Sequence, residues 1–248
     1  PNFTYTVASG GVTETANITV NVTPVNDAPV NTVPAAQTTL EDSPQVFSSG
    51  NGNAITVSDP DGASAPLTTT ISVTNGSFNA LTGGGATISG NGTGTVVISG
   101  TAAQINAALN GANYVNTPDY NGSALVTVST SDGIAPAVVN TVAVTVSPVV
   151  DITSDTLTTN EDTAISFNPI AGTNGATADS FEGSTPQITQ INGTNITAGG
   201  PAITVTNGTV SLGAGNILTF TPAANFNGTV PNFTYTVASG GVTETANI

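Results

Sequence analysis

Lysine, arginine and histidine are absent from the 248 residues, as are cysteine, methionine and tryptophan. Fifteen acidic residues therefore stand without a side-chain counterion, for a formal charge of −15. Their carboxylates must be solvated, hydrogen-bonded to backbone N–H groups, or neutralised by bound cations. No residue can neutralise a phosphate, which excludes a nucleic-acid partner and disfavours an anionic membrane surface. Without thiol or imidazole, the usual zinc and copper ligands are missing. Only oxygen donors remain, and those suit hard cations, calcium above all. Zero cysteine leaves the compartment open. No apolar run reaches the length of a membrane span, so no membrane insertion is expected in this segment, and no signal peptide starts the chain. The chain opens in mid-pattern and reads as an excerpt of something longer, with its export signals elsewhere.

What is there is Thr, Val, Asn, Ala and Ser, with 28 Gly and 15 Pro. Val, Ile and Thr alternate over short runs, which is the pattern of half-buried strands. The runs 202–206 and 209–212 flank Asn207-Gly208, and 70–74 ends at Asn75-Gly76; both are hairpin signals. Residues 96–98, 124–130 and 142–146 are further strands. Thr101 to Gly111 is the one helical candidate, with a Thr start, Ala content and an Asn-Gly stop. Many short strands separated by Gly/Asn turns predict an all-β fold of stacked β-sandwiches.

Residues 1–18 recur without change at 231–248, a period of 230 residues. Such identity marks a tandem array. Within one period two halves match at three anchors. The joint Pro24-Val25-Asn26-Asp27 corresponds to Pro148-Val149-Val150-Asp151. The acidic pair Glu41-Asp42 corresponds to Glu161-Asp162. Tyr114 and Tyr120-Asn121-Gly122 correspond to Phe220 and Phe226-Asn227-Gly228. The expected division is a C-terminal part of a preceding sandwich over 1–26, one sandwich over 27–150, and a second over 151–248 truncated at its last strand.

Strand direction then distributes the acids. A first strand running down from the joint carries Glu41-Asp42 to the far end. The next strand returns Asp59 and Asp61 to the start, and the strand 124–130 brings Asp132 there as well. Asn26, Asp27, Asp59, Asp61 and Asp132 are thus expected at one end of the first sandwich. Glu161 and Asp162 of a neighbouring copy would join them. Gathered like charges repel unless a cation sits among them, and a calcium ion takes about six to eight oxygens. On its own Asp59-Pro60-Asp61-Gly62 is an ordinary turn sequence. Asp119, Asp155, Asp179 and Glu182 are expected at the surface, and Glu14 and its repeat Glu244 in solvent. The aromatic-Asn-Gly elements read as core-filling corners.

The joint Val25-Asn26-Asp27-Ala28-Pro29, the Glu-Asp pairs, Asp59-Pro60-Asp61-Gly62, Thr221-Pro222-Ala223-Ala224-Asn225-Phe226-Asn227-Gly228 and Phe233-Thr234-Tyr235-Thr236-Val237 together resemble the cadherin-like, Ig-like tandem repeats of giant bacterial surface adhesins. The resemblance extends over essentially the whole chain. It implies calcium at the domain joints, an extracellular cell-surface location, and adhesive modules elsewhere in the parent chain. Asn26 and Asp27 would be linker ligands, Asp59 and Asp61 the paired ligands of the following domain, and Asp132 its late-strand ligand. Glu41-Asp42 and Glu161-Asp162 would serve the joint below each domain. The second half departs from the pattern. Ser239-Gly240 stands where the family has Asp-Gly, Asp179 to Glu182 stands for Asp-x-Asp, and Asp151 lacks the preceding Asn. The joint at Asp151 is therefore expected to bind calcium more weakly.

The leading function is a structural extender of a secreted adhesin or filament, supporting adhesion or biofilm formation. Its partners would be neighbouring repeats of the same chain, and other copies in a filament are compatible with it. The alternative is a carbohydrate- or cell-binding module, which needs exposed loop aromatics, whereas the 12 aromatics fall mostly in strand patterns. A glycosidase using paired carboxylates ranks last, because every acid has a joint or loop role and no aromatic cleft is evident; the chain is read as no enzyme. Asn-x-Ser/Thr triplets follow from composition, and the Thr-rich runs lack the regular repeat of an ice-binding face.

Overall fold

The computed structural model describes residues 2–62, 65–181 and 185–248. Among them strands carry nearly all the regular structure, with one α-helix, Ala102–Leu109, and one 3-10 turn, Ala214–Asn216. The buried apolar residues form two separate clusters, one between Phe47 and Val146 and one between Ile152 and Ala246.

The first body has a six-stranded sheet in the order Gln37–Leu40, Val138–Ser147, Gly122–Ser131, Leu67–Val73, Thr95–Gly100 and Thr87–Ser89. A three-stranded sheet, Gln45–Phe47, Ala112–Asn116 and Gly76–Asn79, completes the sandwich with the short pair Val30–Thr32 and Thr56–Ser58. Alternation decides the faces. Val142, Val144 and Val146 are buried, and so are Val126 and Val128, while the residues between them turn outward. Most pairs are antiparallel, but the last strand lies parallel to Gln37–Leu40, with Val144 opposite Gln37 and Val146 opposite Thr39.

Local chemistry sets the connections. Asn75 takes a positive φ of 53° before Gly76, where a Cβ would lie 2.3 Å from the Val115 carbonyl oxygen. That turn therefore needs glycine. The helix starts in a capping box: the Gln104 N–H donates to the Thr101 hydroxyl, and the Thr101 N–H donates to Gln104 Oε1 at 2.9 Å. Ile105, Ala108 and Leu109 then face the core. Tyr114 is fully buried, and its hydroxyl donates to the Asn75 carbonyl at 2.8 Å. Burial, with Tyr120 nearby, pushes its pKa up to about 12.

The second body has two four-stranded sheets. One runs Ile165–Phe167, Leu218–Pro222, Gly208–Leu212, Ile203–Val205; the other runs Thr194–Asn195, Gln187–Ile191, Thr234–Ser239, Val242–Asn247. Residues 2–19 form a third unit, the hairpin Asn2–Ser9 with Val12–Thr19. Its pairing repeats that of the identical C-terminal hairpin: Tyr5 faces Ala16 as Tyr235 faces Ala246. Among the described residues the N-terminal copy pairs only with itself, and both of its strands are exposed. The C-terminal copy lies against Gln187–Ile191 and is part of a core.

Candidate metal centre

The connection through Pro148 to Asp151 brings one end of the first body against one end of the second. Glu41 lies just past the strand Gln37–Leu40 and is 2% exposed. Its N–H donates to the Ser147 carbonyl at 2.9 Å, and its side chain accepts from the Val149 N–H and from Asn121 Nδ2. From the other side, Glu244 Oε2 accepts the N–H groups of Asp151 and Ile152 at 3.0 and 3.1 Å. Glu41, Asp151 and Glu244 thereby present carboxylate oxygens that all lie within 4.8 Å of one another, with Glu41 and Asp151 buried.

Two further contacts seat the bodies on each other. The Ser239 hydroxyl donates to Asp119, which is 1% exposed. At Gly240 an added Cβ would fall 2.4 Å from the Pro118 carbonyl oxygen, so the hairpin tip rests directly on that turn. Negative charge continues into the second body. Asp179 accepts from the Thr153 N–H at 2.8 Å and from the Tyr235 hydroxyl at 3.0 Å. Burial pushes its pKa up, and the charges of Asp155 and Glu244 add to the rise. Burial also raises the pKa of Asp155, whose Oδ1 accepts from the Thr177 N–H.

At the other end of the first body the expected residues meet through hydrogen bonds. Asn26 Nδ2 donates to Asp132 Oδ2 at 2.9 Å, the Asp27 N–H to Asp61 Oδ2 at 2.7 Å, and the Asp61 N–H to Asp59 Oδ1 at 2.9 Å. The Ile134 N–H, then Asn26 and the Ala135 N–H, hold the Asp132 carboxyl below its ordinary value. Glu161 and Asp162 lie apart from both groups, at their own aromatic turn: Asn227 Nδ2 donates to Glu161 at 3.4 Å and the Asn225 N–H to Asp162 at 2.8 Å. Asp42 is exposed beside Glu41, in a left-handed conformation at φ 61°.

The three-carboxylate group forms where the sequence pointed to the poorer joint. The reason is Glu244, expected in solvent and instead bound to the linker backbone. Asp119 and Asp155, expected at the surface, are buried. Glu182 lies outside the described residues. Strand direction could have located Glu244: the hairpin tip Ser239-Gly240-Gly241 points at the joint, and the return strand starts beside it. The donor set fits a hard cation. It is all oxygen, largely buried, and no side-chain cation exists to neutralise it.

The second body has two facing sheets around the buried Tyr235, with a last hairpin closing the sandwich. Residues 145–248 match the family model of a bacterial Ig domain. This bacterial Ig match spans the second body together with the connection that leads into it. The fold as a whole is all-β and Ig-like. A comparison with curated proteins found no match. Similar solved structures include an endo-fucoidan hydrolase from glycoside hydrolase family 107, at 16% identity over 100% of this chain and 33% of that chain, TM-score 0.30. Domains 4–9 of surface layer protein SbsC match at 18% identity over 100% of this chain and 34% of that one, TM-score 0.24. The human desmocollin-1 ectodomain matches at 14% identity over 96% and 39%, TM-score 0.24. The chain spans about a third of the length of the hydrolase and the surface layer protein.

Proposed function

We propose that the chain is an extender: Ig-like sandwiches in tandem, stiffened at their joints by calcium, within an extracellular protein of the bacterial surface. The observation that carries this reading is the convergence of Glu41, Asp151 and Glu244 within 4.8 Å, from the first body, the connection and the second body respectively. Bringing together partly buried like charges at such a separation costs on the order of 3 kcal/mol per pair. A divalent cation reverses the sign of that contribution and ties the two bodies to one point. In this reading Asn26, Asp27, Asp59, Asp61 and Asp132, joined by the hydrogen bonds Asn26 to Asp132, Asp27 to Asp61 and Asp61 to Asp59, serve the upper joint. Neighbouring repeats are the partners, and biofilm or adhesion is the setting. The carboxylates serve geometry in this reading, with no catalytic role.

A calcium titration of the whole chain tests it. Calcium is expected to raise the melting temperature by several degrees and EDTA to reverse the gain. Small-angle scattering is expected to report a narrower range of interbody angles with calcium. An unchanged melting temperature and unchanged scattering from EDTA to millimolar calcium would remove the metal from the proposal.

A further inference from the structure

Asp155 stands in the second body where Asn31 stands in the first. Each lies four residues past a joint aspartate, Asp151 or Asp27. Asn31 pairs with Val57, two residues before Asp59, and Asp155 Oδ1 accepts the N–H of Thr177, two residues before Asp179. Both side chains are buried, Asn31 at 9% exposure and Asp155 at 6%. Asn31 uses its amide as a donor: Nδ2 donates to the Val128 and Val138 carbonyls at 3.3 and 2.9 Å. A carboxylate in such a place has no proton to give. Asp155 Oδ2 is buried without a hydrogen-bond partner among the described residues.

The surroundings decide which species that oxygen belongs to. The titratable groups facing Asp155 are Asp179, just beyond Thr177, and Tyr235, on the strand Thr234–Ser239; Glu244 of the last strand acts in turn on Asp179. None of these is a cation, and the chain has no lysine, arginine or histidine to supply one. Asp179 is provided for as an anion, since Oδ1 accepts the Thr153 N–H at 2.8 Å and Oδ2 the Tyr235 hydroxyl at 3.0 Å. Asp155 has such a bond at Oδ1 alone. An ionised carboxylate with one oxygen buried and unpartnered is costly, and a second carboxylate nearby raises the cost. The neutral acid removes both penalties, and burial pushes the Asp155 carboxyl above its ordinary value.

We propose that Asp155 holds a proton on Oδ2 while Asp179 beside it is ionised, which makes the segment leaving the joint a pH-sensitive clamp within the second body. That segment is tied to the last strand along its length. The Asp151 and Ile152 N–H groups bond Glu244, the Asn247 N–H donates to the Ser154 hydroxyl at 3.2 Å, and the Asp155 N–H donates to the Asn247 carbonyl at 2.9 Å. The proton on Asp155 keeps its end of the segment neutral. Its loss as pH rises sets a second negative charge against Asp179 and loosens the clamp; its return on acidification restores it. The sign follows from a folded pKa above the unfolded one: the contribution is present at low pH and is lost as pH rises through the folded value. The inference is independent of the cation at the joint.

Infrared difference spectra of the whole chain in EDTA, recorded through a pH titration, test the proposal. One carboxylic-acid carbonyl band is expected to persist after the other acids have ionised, and to be missing from Asp155→Asn. Asp179→Asn removes the neighbouring charge, so its persisting band is expected to vanish at a lower pH than in the wild type. Melting curves of the same chains give a second readout. Asp155→Asn is expected to melt with the wild type at acid pH and above it as pH rises, because the amide keeps a donor there as Asn31 does. A wild-type titration with no persisting band would overturn the proposal. So would a persisting band that Asp155→Asn retains, or an Asp155→Asn chain that melts below the wild type at every pH. A band in Asp179→Asn that vanishes at the wild-type pH or above would overturn the pairing with Asp179.

Discussion

Tyr5 and Tyr235 occupy the same position of the same eighteen-residue sequence, yet Tyr5 is 47% exposed and Tyr235 is fully buried. The difference lies in what packs against them. Tyr235 lies across from Ile191 in the adjoining strand, and its hydroxyl donates to Asp179 and to the Thr153 carbonyl at 3.2 Å. Among the described residues the hairpin around Tyr5 has no such neighbour. Replacing Tyr235 by Phe leaves two part-buried acceptors short of a donor and is expected to cost about 1–3 kcal/mol. Tyr5→Phe is expected to be silent. Urea unfolding of the two variants checks both, and equal effects would contradict the burial difference.

Acid pH should act in opposite senses on the two bodies. Asp155 and Asp179 have folded pKa values raised mainly by burial. Each therefore binds its proton more tightly folded than unfolded. The stability they contribute is fully present below the unfolded aspartate pKa and is lost as pH rises through the raised folded values. Asp132 is the reverse: its pKa is lowered, so its contribution holds above the unfolded value and is lost as pH falls through the folded one. Hydrogen exchange in the strand Gln187–Ile191 is expected to slow as pH drops from neutral toward 4, after correction for the intrinsic rate. Asp155→Asn and Asp179→Asn are expected to flatten that dependence.

The strands and turns were legible because their causes are local. Alternating Val and Thr fix the faces of 142–146, Asn-Gly fixes the turns at Asn75 and Asn207, and Thr101 with Gln104 fixes the helix start. The upper group, Asn26 with Asp132 and Asp27 with Asp61, was legible through strand direction. The rest depends on partners far along the chain. Glu244 shares the inward side of its strand with Val242 and Ala246, where it interrupts the apolar alternation, and it becomes a joint residue because the backbone of Asp151 and Ile152 reaches it. The burial of Asp119 likewise comes from Ser239, 120 positions away.

Neutralising one carboxylate at the lower joint separates repulsion from cation binding. Glu41→Gln keeps an acceptor for the Val149 N–H while removing one of three close charges. Without calcium the variant is expected to melt at or above the wild-type temperature, because a like charge is gone. With calcium it is expected to lose at least half of the wild-type gain. Asp42→Asn, at the exposed neighbour outside the group, is expected to behave as wild type. Parallel calcium titrations by scanning calorimetry check all three, and a full calcium gain in Glu41→Gln would place the ion elsewhere.

Gly10 and Gly240 offer the sharpest test of the contact between the bodies. They are twins with nearly equal φ values of 59° and 56°, so an alanine meets the same backbone strain in each, about 1 kcal/mol. Their surroundings differ. Around Gly10 an added Cβ meets nothing within 4 Å, whereas at Gly240 it meets the Pro118 carbonyl oxygen at 2.4 Å and Asp119 Cβ at 2.7 Å. Those neighbours are backbone and a buried side chain, so they cannot move aside without lifting the hairpin tip off the first body and breaking the Ser239 to Asp119 bond. Overpacking of this kind adds roughly 1–3 kcal/mol. Gly10→Ala is expected to leave the main unfolding transition unchanged, because its hairpin stands outside both cores. Gly240→Ala is expected to shift that transition down and to widen the distribution of interbody angles in small-angle scattering. Denaturant unfolding of the two variants side by side measures the difference, and a Gly240→Ala transition indistinguishable from that of Gly10→Ala would mean that the tip does not rest on Pro118 and Asp119 in solution.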